Sequence, residues 1–222
     1  IIAMADGVFC GNHFLQAYAL KHQKNTFLIP TTIDTKGHHN REANPPKISE
    51  QLCLGWTGSH STMHYLKMLW PVLDTIHKEH PLRFVVISDQ PPDQEKTYLE
   101  YIPWSRATEI EGLLSCHVGL MPLLPDPWSE GKCGFKALQY LALGIPAFVS
   151  PVGVNSEIVK EGFNGFLCDN ENAWLRSLRW CIEHPQELSE MKNRCRPDLE
   201  KRFSVQAFEP VYHRILCETA DS

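Results

Sequence analysis

From residue 52 onward, short runs rich in β-branched and aromatic residues alternate with segments whose apolar positions recur at helical spacing. Residues 82–87, Leu-Arg-Phe-Val-Val-Ile, form a nearly continuous apolar run, the pattern of a strand buried on both faces of a parallel sheet. Further strands are predicted at 53–56, 100–102, 118–123 and 147–150. Helices are predicted between them over 63–77, 107–115 and 135–143. Leu66, Leu69, Trp70, Leu73 and Ile76 mark the buried stripe of the first, which Pro71 is expected to kink or to divide. Gly144 and Pro146 are expected to stop the third. Strand and helix repeated in this order predict a doubly wound α/β domain, with a parallel sheet covered on both faces.

Both ends depart from that rhythm. Residues 36–47 hold Gly37, Asn40, Asn44, Pro45 and Pro46 and no apolar run, which reads as an interdomain linker. Before it, the pattern gives a strand or buried segment at 1–5, a helix at 13–20 and a strand at 27–30. Thirty-five residues are too few to enclose a core, so 1–35 read as the remnant of another domain. The absence of an initiator Met points the same way, to a piece of a longer protein. Three helices are predicted at 173–184, 187–201 and 206–218, with Asp169 or Asn170 capping the first. The resulting division is a remnant at 1–35, a linker at 36–47, a ligand-binding domain at 48–202 and a terminal helix at 203–222.

Hydrophobic residues make up 43% of the chain and charged residues 21%, which is globular rather than disordered or fibrous. The net charge of −5 leaves no electrostatic footprint for nucleic acid, and no basic amphipathic stretch marks a membrane surface. The eight cysteines include no pair at Cys-x-x-Cys spacing, so a zinc ribbon is disfavoured; most lie in apolar runs and read as buried free thiols. His38-His39, beside Lys36-Gly37, reads as a solvated loop rather than a metal site.

Ligands of doubly wound domains bind outside the carboxyl ends of the strands, where helix N-termini present unpaired N–H groups. Three segments fall there. The first, Gly55-Trp56-Thr57-Gly58-Ser59-His60-Ser61-Thr62, combines a glycine with hydroxyl donors, suited to a diphosphate but equally to a capped turn without ligand. It matches neither the three-glycine dinucleotide fingerprint nor the phosphate loop ending Gly-Lys-Ser/Thr, which disfavours a nicotinamide dehydrogenase. The second, Trp128-Ser129-Glu130-Gly131-Lys132-Cys133-Gly134-Phe135-Lys136, sets lysines around a helix start; Lys136 also fits a plain surface position. The third is Ser150-Pro151-Val152-Gly153-Val154-Asn155-Ser156-Glu157, again a tight turn opening a helix.

Lys132-Cys133-Gly134-Phe135-Lys136 through Gln139-Tyr140-Leu141-Ala142-Leu143-Gly144-Ile145-Pro146, then 150–159 and Gly162-Phe163-Asn164-Gly165-Phe166-Leu167, resemble the carboxy-terminal domain of family 4 retaining glycosyltransferases. Asn12-His13-Phe14-Leu15 and Ile29-Pro30-Thr31-Thr32-Ile33-Asp34 are similar to the last helix and strand of the amino-terminal domain. The resemblance spans about residues 8 to 205 and implies the two-domain GT-B arrangement, in which this Rossmann-like half binds a nucleoside-diphosphate sugar. The donor would be a UDP-sugar or GDP-sugar. An acceptor glycan, lipid or small molecule would bind the other half, through which alone any membrane contact is expected. A cytoplasmic enzyme follows, peripheral to the inner membrane face at most.

Residue by residue, the resemblance implies catalytic roles for Lys132 and Glu130. Donor diphosphate and sugar contacts fall on Gly58, Ser59, Lys132, Cys133, Gly134, Phe135, Lys136, Gly153, Val154 and Asn155. Ribose and base contacts fall on Trp104, Glu109, Gln139 and Glu157. The family commonly carries two glutamates with seven residues between them; here Gly131 and Gln139 stand in those places, with Glu130 adjacent. Gln139 can still bond a ribose diol, because an amide offers both donor and acceptor. The Arg and Lys usual after the first strand are replaced by Trp56 and residues near Ser61-Thr62, leaving Lys132 to supply the cation. No Asp-x-Asp occurs, which fits transfer without a metal cofactor. A nucleotide-holding module and a sugar-nucleotide epimerase of the same architecture remain the alternatives.

Overall fold

The computed structural model describes residues 1–45 and 47–220. Six strands, β3 (Leu52–Thr57), β4 (Leu82–Ser88), β5 (Leu99–Pro103), β6 (Val118–Met121), β7 (Ala147–Val149) and β8 (Gly165–Leu167), form one sheet in the order β5-β4-β3-β6-β7-β8. Every pairing is parallel. The order reverses between β3 and β6, the switch point outside which ligands bind in doubly wound sheets. Gly165–Leu167 pairs with β7, although the sequence pattern gives no strand there.

The sheet is buried on both faces, and alternate residues of each strand go to opposite layers. Leu52, Leu54 and Trp56 of β3, with Phe84 and Val86 of β4, pack into the core of α3 (Trp70–Glu79) and α8 (Glu171–Glu183). Val85 and Ile87 pack the other way, against α4 (Arg106–Leu113), α6 (Phe135–Ala142) and α9 (Pro185–Phe203). The predicted helix at 63–77 is broken into α2 (His60–Met63), a 3-10 turn and α3. The division falls at Pro71, as one of the two expectations had it; there is no kink, because the proline occupies the first turn of α3, where its missing N–H has no bond to lose. Asn170 caps α8 by accepting the Ala173 N–H at 3.0 Å.

At the switch point, Tyr140 of α6 accepts the Thr57 N–H at 3.3 Å and donates to the Leu120 carbonyl at 3.1 Å, spanning the two diverging strands. Its ring lies so close to Gly119 that any Cβ there would overlap it.

The first segment is separate in its pairing. β1 (Val8–Cys10) and β2 (Thr26–Leu28) form a two-stranded parallel sheet joined by α1 (His13–Ala19); residues 2–4 form a 3-10 turn where the sequence pattern suggests a strand or buried segment. The carboxy-terminal helix α10 (Val205–Ala220) returns to it, with Tyr212 edge-on to Phe9 at 5.3 Å. Residues 36–45, expected to be a plain linker, are instead tied to the large domain. Ala43 N–H donates to Leu143 O at 2.7 Å, Asn44 N–H to Leu114 O at 3.0 Å, and the Arg196 guanidinium gathers the Thr35, His39 and Ala142 carbonyls.

Candidate functional site

The carboxyl edge of the sheet holds the starts of α2, α4, α6 and α7 (Asn155–Ile158); side chains close the first two, whereas α6 and the single-turn α7 have no side-chain cap. α2 begins with the His60 N–H donated to Asp89 Oδ1 at 2.6 Å, while the His60 ring meets Asp89 Oδ2 at 2.7 Å. A carboxylate from the end of β4 thus already occupies the helix start expected to take phosphate. α4 is closed by a capping box between Ser105 and Thr108. The short α5 (Pro127–Glu130) is capped by Asp126, which accepts the Ser129 N–H at 2.8 Å.

α6 has no side-chain cap. Its N-cap, Gly134, is left-handed with φ 69°, and a Cβ there would strike Ile158 Cδ1. Glycine is therefore demanded twice, by backbone angle and by space. The first turn of α6 keeps its N–H groups without a carboxylate or hydroxyl partner, and two lysines flank it. The Lys132 ammonium lies 5.6 Å from the Tyr65 ring and 5.7 Å from the Trp128 ring. Burial pulls its pKa down, and Asp126 opposes the shift. The Lys136 ammonium is 5.7 Å from the Trp56 ring. Burial, reinforced by Lys132 and opposed by Glu109, pushes its pKa down to about 8. Lys136 is thus no plain surface residue. A charge held in a largely buried place without a carboxylate bonded to it is set for an anion.

Two clefts take in several of the other residues singled out by sequence. Thr57, Gly58, Ser59, Asp89, Trp104 and Glu109 line one of about 350 Å³. In it Thr57 Oγ1 donates to Glu109 Oε1 at 2.8 Å, and Trp104 is half exposed. Gln139 is buried on α6 with neither amide atom partnered. Glu157, grouped with these by resemblance, lies elsewhere. It lines a second cleft of about 430 Å³ with Asn12, Thr31, Cys133, Val154 and Arg202, because α7 follows β7, two strands beyond the end of β3.

Val154 and Asn155 also pack against the start of α6. Both flank Gly134, and Asn155 donates to the Ser150 carbonyl at 2.9 Å. The Gly153 turn lies against the Ser129 and Glu130 carbonyls. The Cys133 thiol faces Asn12 at 4.0 Å, and Phe135 is half exposed. Among the described residues no three His, Cys, Asp or Glu side chains could jointly hold a metal ion.

Asn12, Asp89 and Tyr140 were not singled out by the sequence pattern. Asn12 caps α1 through Leu15 N–H at 2.8 Å, and its amide donates to the Glu130 and Lys132 carbonyls, both at 3.1 Å. It pins the lysine loop to the first segment. Asn12→Ala removes the cap and both tethers and is expected to cost about 1–3 kcal/mol, read as a lowered urea midpoint at unchanged slope.

An all-parallel sheet in this strand order, with a cleft at its switch point, has the Rossmann-like architecture of the carboxy-terminal half of the GT-B fold. The sequence model for "Glycosyl transferases group 1" matches residues 52–184, and the chain belongs to that family. Among solved structures, Anabaena HepE in complex with UDP and glucose is 15% identical with a TM-score of 0.77, covering 96% of this chain and 63% of that one. TarM is 12% identical with a TM-score of 0.74, covering 95% and 43%. Sucrose-phosphate synthase from Thermosynechococcus elongatus is 14% identical with a TM-score of 0.72, covering 98% and 60%. The chain thus spans less than two thirds of each of these relatives. No curated protein matches the sequence. Among the described residues no helix is long and apolar enough to cross a membrane.

Proposed function

We propose that the chain is the donor-binding half of a retaining glycosyltransferase that moves a sugar from a nucleoside-diphosphate sugar to an acceptor. The observation carrying this reading is the uncapped start of α6 between Lys132 and Lys136, beside the cleft of Thr57, Trp104 and Glu109. HepE was solved with UDP and glucose, and the pneumococcal O-GlcNAc transferase GtfA with UDP and GlcNAc, which supports a uridine or similar nucleotide here.

In this reading the costly event is departure of the nucleoside diphosphate, whose β-phosphate gains negative charge as its bond to the sugar breaks. The α6 N–H groups, Lys132 and Lys136 are fixed before that charge develops, so stabilising it costs no reorganisation. Lys132 in the loop before α6 and Lys136 on α6 would take the place of the Arg and Lys usual after the first strand, and metal-free transfer follows as a further part of the proposal. Trp104 would stack on the base, and Glu109 would accept from it. Residues 1–35 would belong to the acceptor-binding half and 36–47 to the connection, so the 222-residue chain by itself would bind donor without transferring sugar. Peripheral membrane contact, if the enzyme makes any, would run through that other half.

The proposal is tested by titrating the chain with UDP, GDP and their sugars. Lys132→Ala is expected to weaken binding at least tenfold, about 1.4 kcal/mol. Unchanged affinity removes the phosphate role of Lys132. Gly131, in place of an acidic residue, favours a second reading, a module that holds the nucleotide without chemistry. Donor hydrolysis by the full-length enzyme separates the two.

A further inference from the structure

The Lys132 ammonium makes no hydrogen bond or salt bridge with any described residue. What meets it is aromatic: the Tyr65 ring at 5.6 Å and the Trp128 ring at 5.7 Å. A ring face attracts a cation through its quadrupole without cancelling the charge, as a bonded carboxylate would. A lysine stem left to itself samples many rotamers and gives up that freedom when it binds an anion. An ammonium already gripped by two rings has lost it beforehand, and the contact with the anion is correspondingly stronger.

The rings reach the lysine from separate segments. Tyr65 belongs to the 3-10 turn His64–Met68 that follows α2, and it is only 3% exposed. Its hydroxyl shares a hydrogen bond with Ser129 Oγ at 2.9 Å and donates to Asp126 Oδ2 at 3.4 Å, while the His64 ring packs against it with centroids 4.0 Å apart. Trp128 lies in the first turn of α5 and is 73% exposed, so its ring adds little to any core.

Asp126 anchors both. Its Oδ1 accepts the Ser129 N–H that closes the start of α5, and its Oδ2 accepts the Ser129 hydroxyl at 3.3 Å beside that of Tyr65. With its oxygens engaged in this way, Asp126 favours the charged form of Lys132 without pairing with it. The start of α2 is closed to phosphate by Asp89, yet the turn that follows α2 still serves the donor edge, by way of Tyr65.

We infer that Tyr65 and Trp128 are positioning residues that hold the Lys132 ammonium ready for the donor diphosphate. The inference rests on the donor-binding reading above and adds to it the way the cation is presented: each ring acts on nucleotide affinity through the lysine, and neither touches the nucleotide.

A double-mutant cycle separates acting through Lys132 from acting beside it. Calorimetry of the 222-residue chain uses whichever of UDP or GDP binds more tightly, with Trp128→Leu and Tyr65→Leu each made alone and together with Lys132→Ala. Each leucine variant alone is expected to weaken binding about fivefold. Tyr65→Phe, which keeps the ring, should stay within about twofold of the unaltered chain, and so should either leucine change when compared with Lys132→Ala alone. Equal losses in the presence and absence of Lys132 mean direct contact or general disturbance of the site and overturn the inference; so does full affinity in both leucine variants. Either result leaves the donor site standing. Failure of the unaltered chain to bind either nucleotide, or undiminished binding by Lys132→Ala, overturns the phosphate role of the lysine and this inference with it. Should Tyr65→Leu fail to fold, the cycle at the exposed Trp128 decides alone.

Discussion

Replacing Lys136 by methionine is expected to raise the melting temperature of the unliganded chain while lowering its affinity for UDP or GDP at least thirtyfold. The two effects have one cause. Burial depresses the Lys136 pKa to about 8, whereas the unfolded chain holds lysine near its ordinary value. The unfolded state therefore binds more protons between those values, so stability contributed at this site rises with pH across that window and is lowest below it. At pH 7 the charged side chain costs the fold roughly 2 kcal/mol after allowance for partial solvent contact. Methionine removes that cost and keeps the contact with Trp56, and it also removes the charge proposed to meet the diphosphate. The same account expects nucleotide affinity of the unaltered chain to fall as pH rises from 7 to 9.5, and to fall less in Lys136→Met. A lowered melting temperature with undiminished affinity would mean that Lys136 serves the fold.

Gly134→Ala is expected to be the most damaging single-methyl change at the site. The residue sits at φ 69°, and the added Cβ would meet Ile158 Cδ1 directly and Val154 Cγ2 at 3.1 Å. Left-handed backbone costs a non-glycine residue about 1–2 kcal/mol, and overpacking adds about 1–3 kcal/mol. A total of about 2–5 kcal/mol should appear as a lower urea midpoint, together with loss of nucleotide affinity as α6 shifts. Gly131→Ala, three residues earlier, is the control. Gly131 has φ −74°, and the nearest atoms to an added Cβ lie at 3.6 Å, so its stability should stay within about 0.5 kcal/mol of the unaltered chain.

The hydrophobic rhythm of 52–150 was enough to read the doubly wound sheet, because strands such as Leu82–Ser88 are buried on both faces and leave no alternative pairing. It missed Gly165–Leu167, three residues whose strand character comes from pairing with β7 rather than from any local propensity. At Pro71 the alternative of a divided helix holds and that of a kink does not, since a proline inside a periodic run looks alike whether it bends a helix or begins one. At the site, Lys132, Gly134 and Lys136 were legible because spacing places them around a helix start. The difference between an open start and an occupied one was not. Asp89 closes α2 from 29 residues away, and that contact is written in the fold alone. His39, buried rather than solvated, was misread for a related reason. Its segment is polar and rich in turn formers, and nothing local reveals that Arg196, 157 residues on, fastens it against α6.

The most direct test of the donor site is calorimetric titration of the 222-residue chain with UDP and GDP, beside a Lys132→Ala/Lys136→Met variant whose folding is verified by its melting transition. The account predicts that one of the two nucleotides binds the unaltered chain and that the double variant, folded and at least as stable, loses at least a hundredfold in affinity. Binding equal in both proteins, or no binding of either nucleotide to the unaltered chain, would contradict it.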